Sequence, residues 1–198
     1  MNIDNSIQFQ IGEAIRKSVS VKEQILRSPE LLHLVQQTVE RVVDCYRHDG
    51  KVLFCGNGGS AADAQHLAGE LSGRFYFDRP PLQAEALHVN TSFVTAVAND
   101  YGYDHVFARM VEAWGREGDV LVAMSTSGNS PSIVKAAEAA RKQKMTVIGF
   151  TGQGGGALGE LCDIALKMPS NDTPRIQEAH ILLGHILCEQ VEKILFPT

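Results

Sequence analysis

A chain of 198 residues is long enough to bury a sizeable core and fits one domain with an appended helical segment. Its 44% hydrophobic and 21% charged residues are globular values that exclude a disordered or fibrous polypeptide, and a formal charge of −5 gives no general attraction to nucleic acid or an anionic membrane. The opening stretch carries acidic residues and no apolar core, no later run reaches bilayer length, and Cys45, Cys55, Cys162 and Cys188 lack C-x-x-C spacing, so the sequence reads as a cytoplasmic protein with mostly buried thiols and neither membrane nor nucleic-acid partner.

From Ile11 through Arg47 apolar residues recur at three- and four-residue steps, which predicts two helices, "EAIRKSVSVKEQILRS" and "PELLHLVQQTVERVVDCYRH". Ser28 and Pro29 supply the N-cap and first position of the second, and His33 is assigned to its packing face. From Lys51 the pattern changes to "KVLFCG", "AEALHV", "DVLVAMS", "MTVIGF" and "DIALKMP", runs too short for helices and bounded by turn residues. Alternating with helical segments, they predict an α/β fold with a right-handed parallel sheet of about five strands. Residues 1–50 are then a helical segment packing on the core or on a neighbouring subunit, and 51–198 the α/β domain, one domain overall. The last segment starts at Thr173-Pro174 and runs helical to the end.

Two strand-to-helix turns could bind an anion. After the first strand comes Gly56-Asn57-Gly58-Gly59-Ser60, whose glycines let backbone N–H groups converge at a helix N-terminus. It matches a G-x-G-x-x-A dinucleotide fingerprint at Gly56, Gly58 and Ala61, but no acidic residue closes the second strand: Asp78 precedes it and Asn90 follows, which disfavours a dinucleotide. After the third strand comes Ser125-Thr126-Ser127-Gly128-Asn129-Ser130, with Pro131 opening the next helix. One hydroxyl, assigned to Ser130, is needed as a helix cap; a cap does not account for the others, and the pair of turns points to a phosphorylated small molecule.

The first turn feeds a helix bearing His66 and Glu70 on one face, with Asp63 placed to orient the imidazole. Such a pair serves a metal, a proton transfer or a surface contact. On the last helix Gln177 and His185 are eight residues apart, about 80° around the axis, and can face one site, while Glu178 and His180 point elsewhere and are assigned packing or surface roles. Asn99-Asp100 closes the segment "TSFVTAVAND" and reads as a helix end.

The stretches "CGNGGSAADAQHLAGELSGRF", "AVANDYGYDHVF", "VAMSTSGNSPSIVKA" and "TPRIQEAHILLGHIL", in this order, resemble the sedoheptulose 7-phosphate (phosphoheptose) isomerases of the sugar isomerase (SIS) domain family. The resemblance runs from about Lys51 onward, and the leading helices fit that family's N-terminal segment. It implies a three-layer αβα fold with a five-stranded parallel sheet, and aldose–ketose isomerisation of sedoheptulose 7-phosphate to D-glycero-D-manno-heptose 7-phosphate, a precursor of the ADP- or GDP-heptose of lipopolysaccharide or related glycans. It also implies a homotetramer with active sites at subunit boundaries and one zinc per subunit, held at positions matching His66, Glu70, Gln177 and His185. Substrate contacts fall at positions matching Asn57, Gly58, Gly59, Ser60, Glu70, Asn99, Asp100, Ser125, Thr126, Ser127, Ser130 and Gln177, and proton transfer at Glu70 and His185. Some of these isomerases carry an acidic residue where this chain has Pro174. Two relatives differ: a SIS protein that binds the replication initiator lacks the residues matching Glu70 and His185, and isomerases of five- and six-carbon sugar phosphates share the serine turn without the pattern of His66, Glu70, Gln177 and His185.

Overall fold

In the computed structural model, which describes residues 3–197, the five apolar runs pair as a parallel sheet. The strands are β1 (Val52–Gly56), β2 (Ala84–Ala86), β3 (Val120–Ser125), β4 (Thr146–Thr151) and β5 (Ile164–Lys167), in spatial order β2-β1-β3-β4-β5. Residues 1, 2 and 198 of the two expected segments lie outside the described residues. Strand β2 pairs over three residues instead of the predicted six: Leu87 N still donates to Phe54 O, then Val89 N turns back to Ala86 O and Asn90 caps the next helix.

The helices are α1 (Ile3–Leu26), α2 (Pro29–Arg47), α3 (Gly59–Ser72), α4 (Thr91–Tyr101), α5 (Val106–Trp114), α6 (Pro131–Lys142), α7 (Gly156–Leu161) and α8 (Thr173–Leu195). Because side chains alternate across a strand, each strand serves two cores. Val52, Phe54, Val120, Val122, Met124, Ile148 and Phe150 face a layer of α2, α3 and α8, joined by Val21 and Ile25 of α1. Leu53, Cys55, Leu121, Ala123 and Val147 face α4, α5, α6 and α7 on the other side. The result is the expected three-layer αβα arrangement. Burial pushes the thiols of Cys45, Cys162 and Cys188 up to about 12, and that of Cys55 upward too, so none is a ready nucleophile.

Ser28 caps α2 as predicted, accepting from Leu31 N at 3.2 Å. His33 departs from expectation. The buried stripe of α2 runs through Leu31, Val35, Thr38, Val39, Val42 and Val43, so His33 falls on the exposed side against Gln37. Helix α1 starts at Ile3, ahead of the predicted Ile11, and leaves Ile7, Phe9, Ile11, Ile15 and Val19 exposed.

His180 is fully buried beside the Phe150 ring, its Nε2 3.1 Å from Thr151 O, which agrees with a packing role. Burial pushes its pKa down from 6.5 to about 4, only partly opposed by the bond to Thr151. The unfolded chain therefore binds a proton that the folded one refuses between those values. Stability from this group is complete above about pH 6.5 and is lost as pH falls toward about 4. Thermal melts should show His180→Leu losing less stability than the parent over that interval, by up to ~3 kcal/mol; parallel pH profiles for the two proteins would contradict the assignment.

Candidate active site

The chain leaves β1 toward β2 in one direction and β3 toward β4 in the other, so the sheet order reverses between two adjacent strands. Helix α3, which follows β1, lies in one covering layer and α6, which follows β3, in the other. Their first turns open a crevice at the carboxyl ends of β1 and β3, the place where open parallel sheets bind ligands. Both anion-binding turns predicted from the sequence line it.

Asn57 links them. Its Nδ2 donates to Ser132 Oγ at 3.0 Å and to Ser130 Oγ at 3.4 Å, and its Oδ1 accepts from the Tyr103 hydroxyl at 2.8 Å. In the second turn Ser125 Oγ and Ser127 Oγ stand 3.5 Å apart, and Ser127 Oγ accepts from Asn129 N at 3.1 Å. Asn129 Oδ1 takes the N–H of Ala157, which ties the turn to the start of α7. Gly128 has φ +67°, and a Cβ there would overlap the Gly155 carbonyl, so only glycine lets these loops touch.

Neither helix in the crevice is capped by a side chain. Gly58 and Ser130 hold the N-cap positions of α3 and α6, and Ser130, expected to cap, makes no such bond because its hydroxyl is turned to Asn57. The N–H groups of Ser60, Ala61 and Ile133 go to the carbonyls of Asn57, Gly58 and Ser130, while partial positive charge remains at both helix starts, beside hydroxyls that can donate.

The metal-type residues gather between α3 and α8. His66 Nε2 lies 2.9 Å from His185 Nε2 and 3.2 Å from Glu70 Oε1, and the three side chains offer ligand atoms all within 4.8 Å of one another. Donors bonded to one tetrahedral zinc at about 2.0–2.1 Å stand about 3.3 Å apart, so two imidazole nitrogens and a carboxylate oxygen at this spacing fit a divalent cation. His66 is exposed and Glu70 and His185 are half-buried, which leaves the cluster open on one side. Asp63 makes no bond to His66: its Oδ2 is buried without a partner. Burial holds the Asp63 carboxyl above its ordinary value, only partly opposed by the nearby His66 and His185.

Gln177 stands at the start of the same helix contact. Its Nε2 would lie 2.6 Å from a Cβ placed on Gly59, which sets it against the first turn of α3, about 12 Å along α8 from His185. Asn99 and Asp100 sit in the last turn of α4 and bond to each other at 2.8 Å, rather than to either turn. Glu178 pairs with Arg175, whose Nη1 also reaches Ala14 O on α1.

Residues not anticipated from the sequence hold α3 to α8. Gly184 lies so close to Leu67 that a Cβ would stand 2.5 Å from its Cδ1. At the far end Arg79 and Glu192 form an ion pair at 2.8 Å whose side chains are 1% and 0% exposed. Burial pushes the Glu192 carboxyl up, but N–H bonds from Tyr76 and Phe75, and from the Arg79 guanidinium, more than offset this and hold it below the usual carboxylate range. No local motif marks the pair, since its members are separated by 113 residues.

A model of the SIS domain family matches residues 16–152. The chain is 50% identical over 186 residues to a phosphoheptose isomerase of Aneurinibacillus thermoaerophilus, covering 94% of both chains. Its structure is similar to that of the phosphoheptose isomerase from Neisseria gonorrhoeae, with TM-score 0.89 and 43% identity over 94% of this chain and 99% of that one. A phosphoheptose isomerase from Francisella tularensis aligns with TM-score 0.86 and 37% identity over 98% of this chain and 100% of the other.

Replacing Gly128 by alanine should lower the melting temperature by several degrees, equivalent to about 1–3 kcal/mol of stability, since the turn must abandon either its left-handed backbone or its contact with Gly155. An unchanged melt would contradict the close approach described.

Proposed function

The chain belongs to the SIS domain family, and from that premise we propose that it is an aldose–ketose isomerase converting sedoheptulose 7-phosphate into D-glycero-D-manno-heptose 7-phosphate. The observation that carries this reading is the meeting of His66, Glu70 and His185 beside a crevice with two uncapped helix N-termini.

The hydroxyls of Ser125, Thr126, Ser127 and Ser130, with Asn57, Ser60 and the N–H groups around Gly58 and Gly59, bind the phosphorylated sugar through neutral donors. Asn99, Asp100 and Gln177 contact its hydroxyls. The Glu70 carboxylate takes a proton from C1 of the ketose, and the electron pair left behind forms the C1–C2 double bond of an enediolate. His185 gives a proton to O2. It then takes the proton from O1 as Glu70 returns its own to C2, which leaves the carbonyl at C1 and both residues as they began. The cluster of His66, Glu70 and His185, with Gln177 proposed as a fourth ligand from the first turn of α8, would hold one zinc per subunit, which when bound would polarise the substrate carbonyl.

The same reading places the protein in the cytoplasm as a homotetramer, upstream of the activated heptose used for lipopolysaccharide or related glycans. None of the described helices is long and apolar enough to cross a membrane. Residues 1–50 form the helical segment, whose α2 packs on the core and whose α1 offers a further face to a neighbouring subunit, and 51–198 the catalytic domain. Exposed Ile7, Ile11, Ile15 and Val19, spaced by four along α1, support an interface there.

Purified protein given sedoheptulose 7-phosphate should form the aldose, with activity lost in chelator and restored by zinc; inactivity with zinc present would refute the reading. Glu70→Gln and His185→Ala should each lower turnover by at least about 100-fold while the protein keeps its melting profile, and near-parental turnover in either would overturn that residue's role. Light scattering should give four subunits for the parent and fewer for Ile15→Asp, whereas a monomeric parent would contradict the assembly.

A further inference from the structure

We propose that the buried Arg79–Glu192 pair is a positioning device for the reaction, setting the end of α3 against α8 so that Glu70 faces His185. The inference rests on the isomerase reading above and adds to it two residues that touch neither substrate nor metal.

Every side-chain nitrogen of Arg79 is used. Nε donates to Glu192 Oε2 at 2.8 Å, Nη1 to the carbonyls of Leu71, Pro80 and Gly73 at 2.9, 3.1 and 3.3 Å, and Nη2 to Glu70 O at 2.9 Å. The carbonyls of Glu70 and Leu71 belong to the last turn of α3, where no helical partner remains to satisfy them. Arg79 supplies that partner to Glu70 O and shares Leu71 O with Leu82 N, which donates at 3.1 Å, and its planar fork fixes direction as well as distance.

Glu192 holds the other side. Its two oxygens accept from Phe75 N at 2.8 Å, Tyr76 N at 2.7 Å and Phe77 N at 3.4 Å, so the segment after α3 is wound around this carboxylate. Glu192 follows His185 by seven residues, two turns along nearly the same face of α8. Glu70 is thus gripped through its own carbonyl by Arg79, while its carboxylate oxygen stands 3.2 Å from His66 Nε2. A shift of the α3 terminus would move the carboxylate with it.

Apolar residues of similar volume could join two helices about as strongly as a buried ion pair does. What they could not do is fix the rotation of α3 through two named carbonyls. Catalytic groups are sensitive to displacements of this kind, since about 1 Å can cost about 100-fold in rate.

Arg79→Lys tests the proposal, because lysine keeps the charge opposite Glu192 but cannot span the carbonyls that the fork reaches. The readouts are the thermal melt, a cobalt(II) titration followed by visible absorption, and steady-state kinetics. The variant should unfold cooperatively, bind cobalt about tenfold or more weakly with an altered absorption band, and show kcat reduced about 10–100-fold with KM within about threefold. Cobalt affinity, spectrum and kcat all within twofold of the parent would overturn it. If Arg79→Lys does not fold, Glu192→Gln carries the same expectations in the same directions, and parental behaviour there would overturn the proposal equally. A parent protein that binds cobalt but leaves sedoheptulose 7-phosphate unchanged would sink the isomerase reading alone, because the effect of Arg79→Lys on cobalt binding is read without turnover.

Discussion

The arrangement depends on two helices lying side by side in the same direction. Gln177 stands against Gly59, Gly184 against Leu67, His185 against His66, and Glu192 reaches the end of α3 through Arg79, so residue numbers rise together along α3 and α8. That parallel register needs close approach in the middle, which Gly184 permits by presenting no side chain to Leu67. It also needs the ends fixed, since helices packed only by apolar contact can slide or rotate at modest cost. The buried ion pair fixes one end, where Arg79 bridges Glu192 to the carbonyls of Glu70 and Leu71. Side chains from sequence regions more than a hundred residues apart then meet within hydrogen-bonding distance.

The sheet supplies the second half of the site by its topology. Reversal of strand order between β1 and β3 opens a crevice, and each bordering helix begins without a side-chain cap. In a chain of net charge −5 an anion needs dedicated donors, and backbone N–H groups with serine and threonine hydroxyls are donors of that kind that need no lysine. On the proposed function, phosphate capture and proton transfer would use one rigid element: α3 starts at the switch point of the sheet and carries His66 and Glu70 two and three turns further along.

Much of this was legible in the sequence, for physical reasons. Strands buried on both faces read as short apolar runs, and glycine, serine and proline mark where strand gives way to helix. His66 and Glu70 could be paired because i, i+4 spacing is geometry intrinsic to one helix. Contacts across elements were less readable. Asp63 has the right offset to orient His66 but leaves a buried oxygen unpartnered, and His33 lies at helical spacing yet off the buried stripe of α2. Ser130 had the composition and place of a cap, yet Asn57 takes its hydroxyl. Arg79 and Glu192 carried no signal at all, because a buried ion pair is defined only once the chain has folded around it.

Diffraction from crystals grown with cobalt or zinc, recorded at the metal's absorption edge, tests the account most directly. The helix register predicts one anomalous peak per subunit within about 2.0–2.2 Å of His66 Nε2, His185 Nε2 and a Glu70 carboxylate oxygen. Crystals of catalytically active protein with no peak there, or with the metal bound elsewhere, would contradict it.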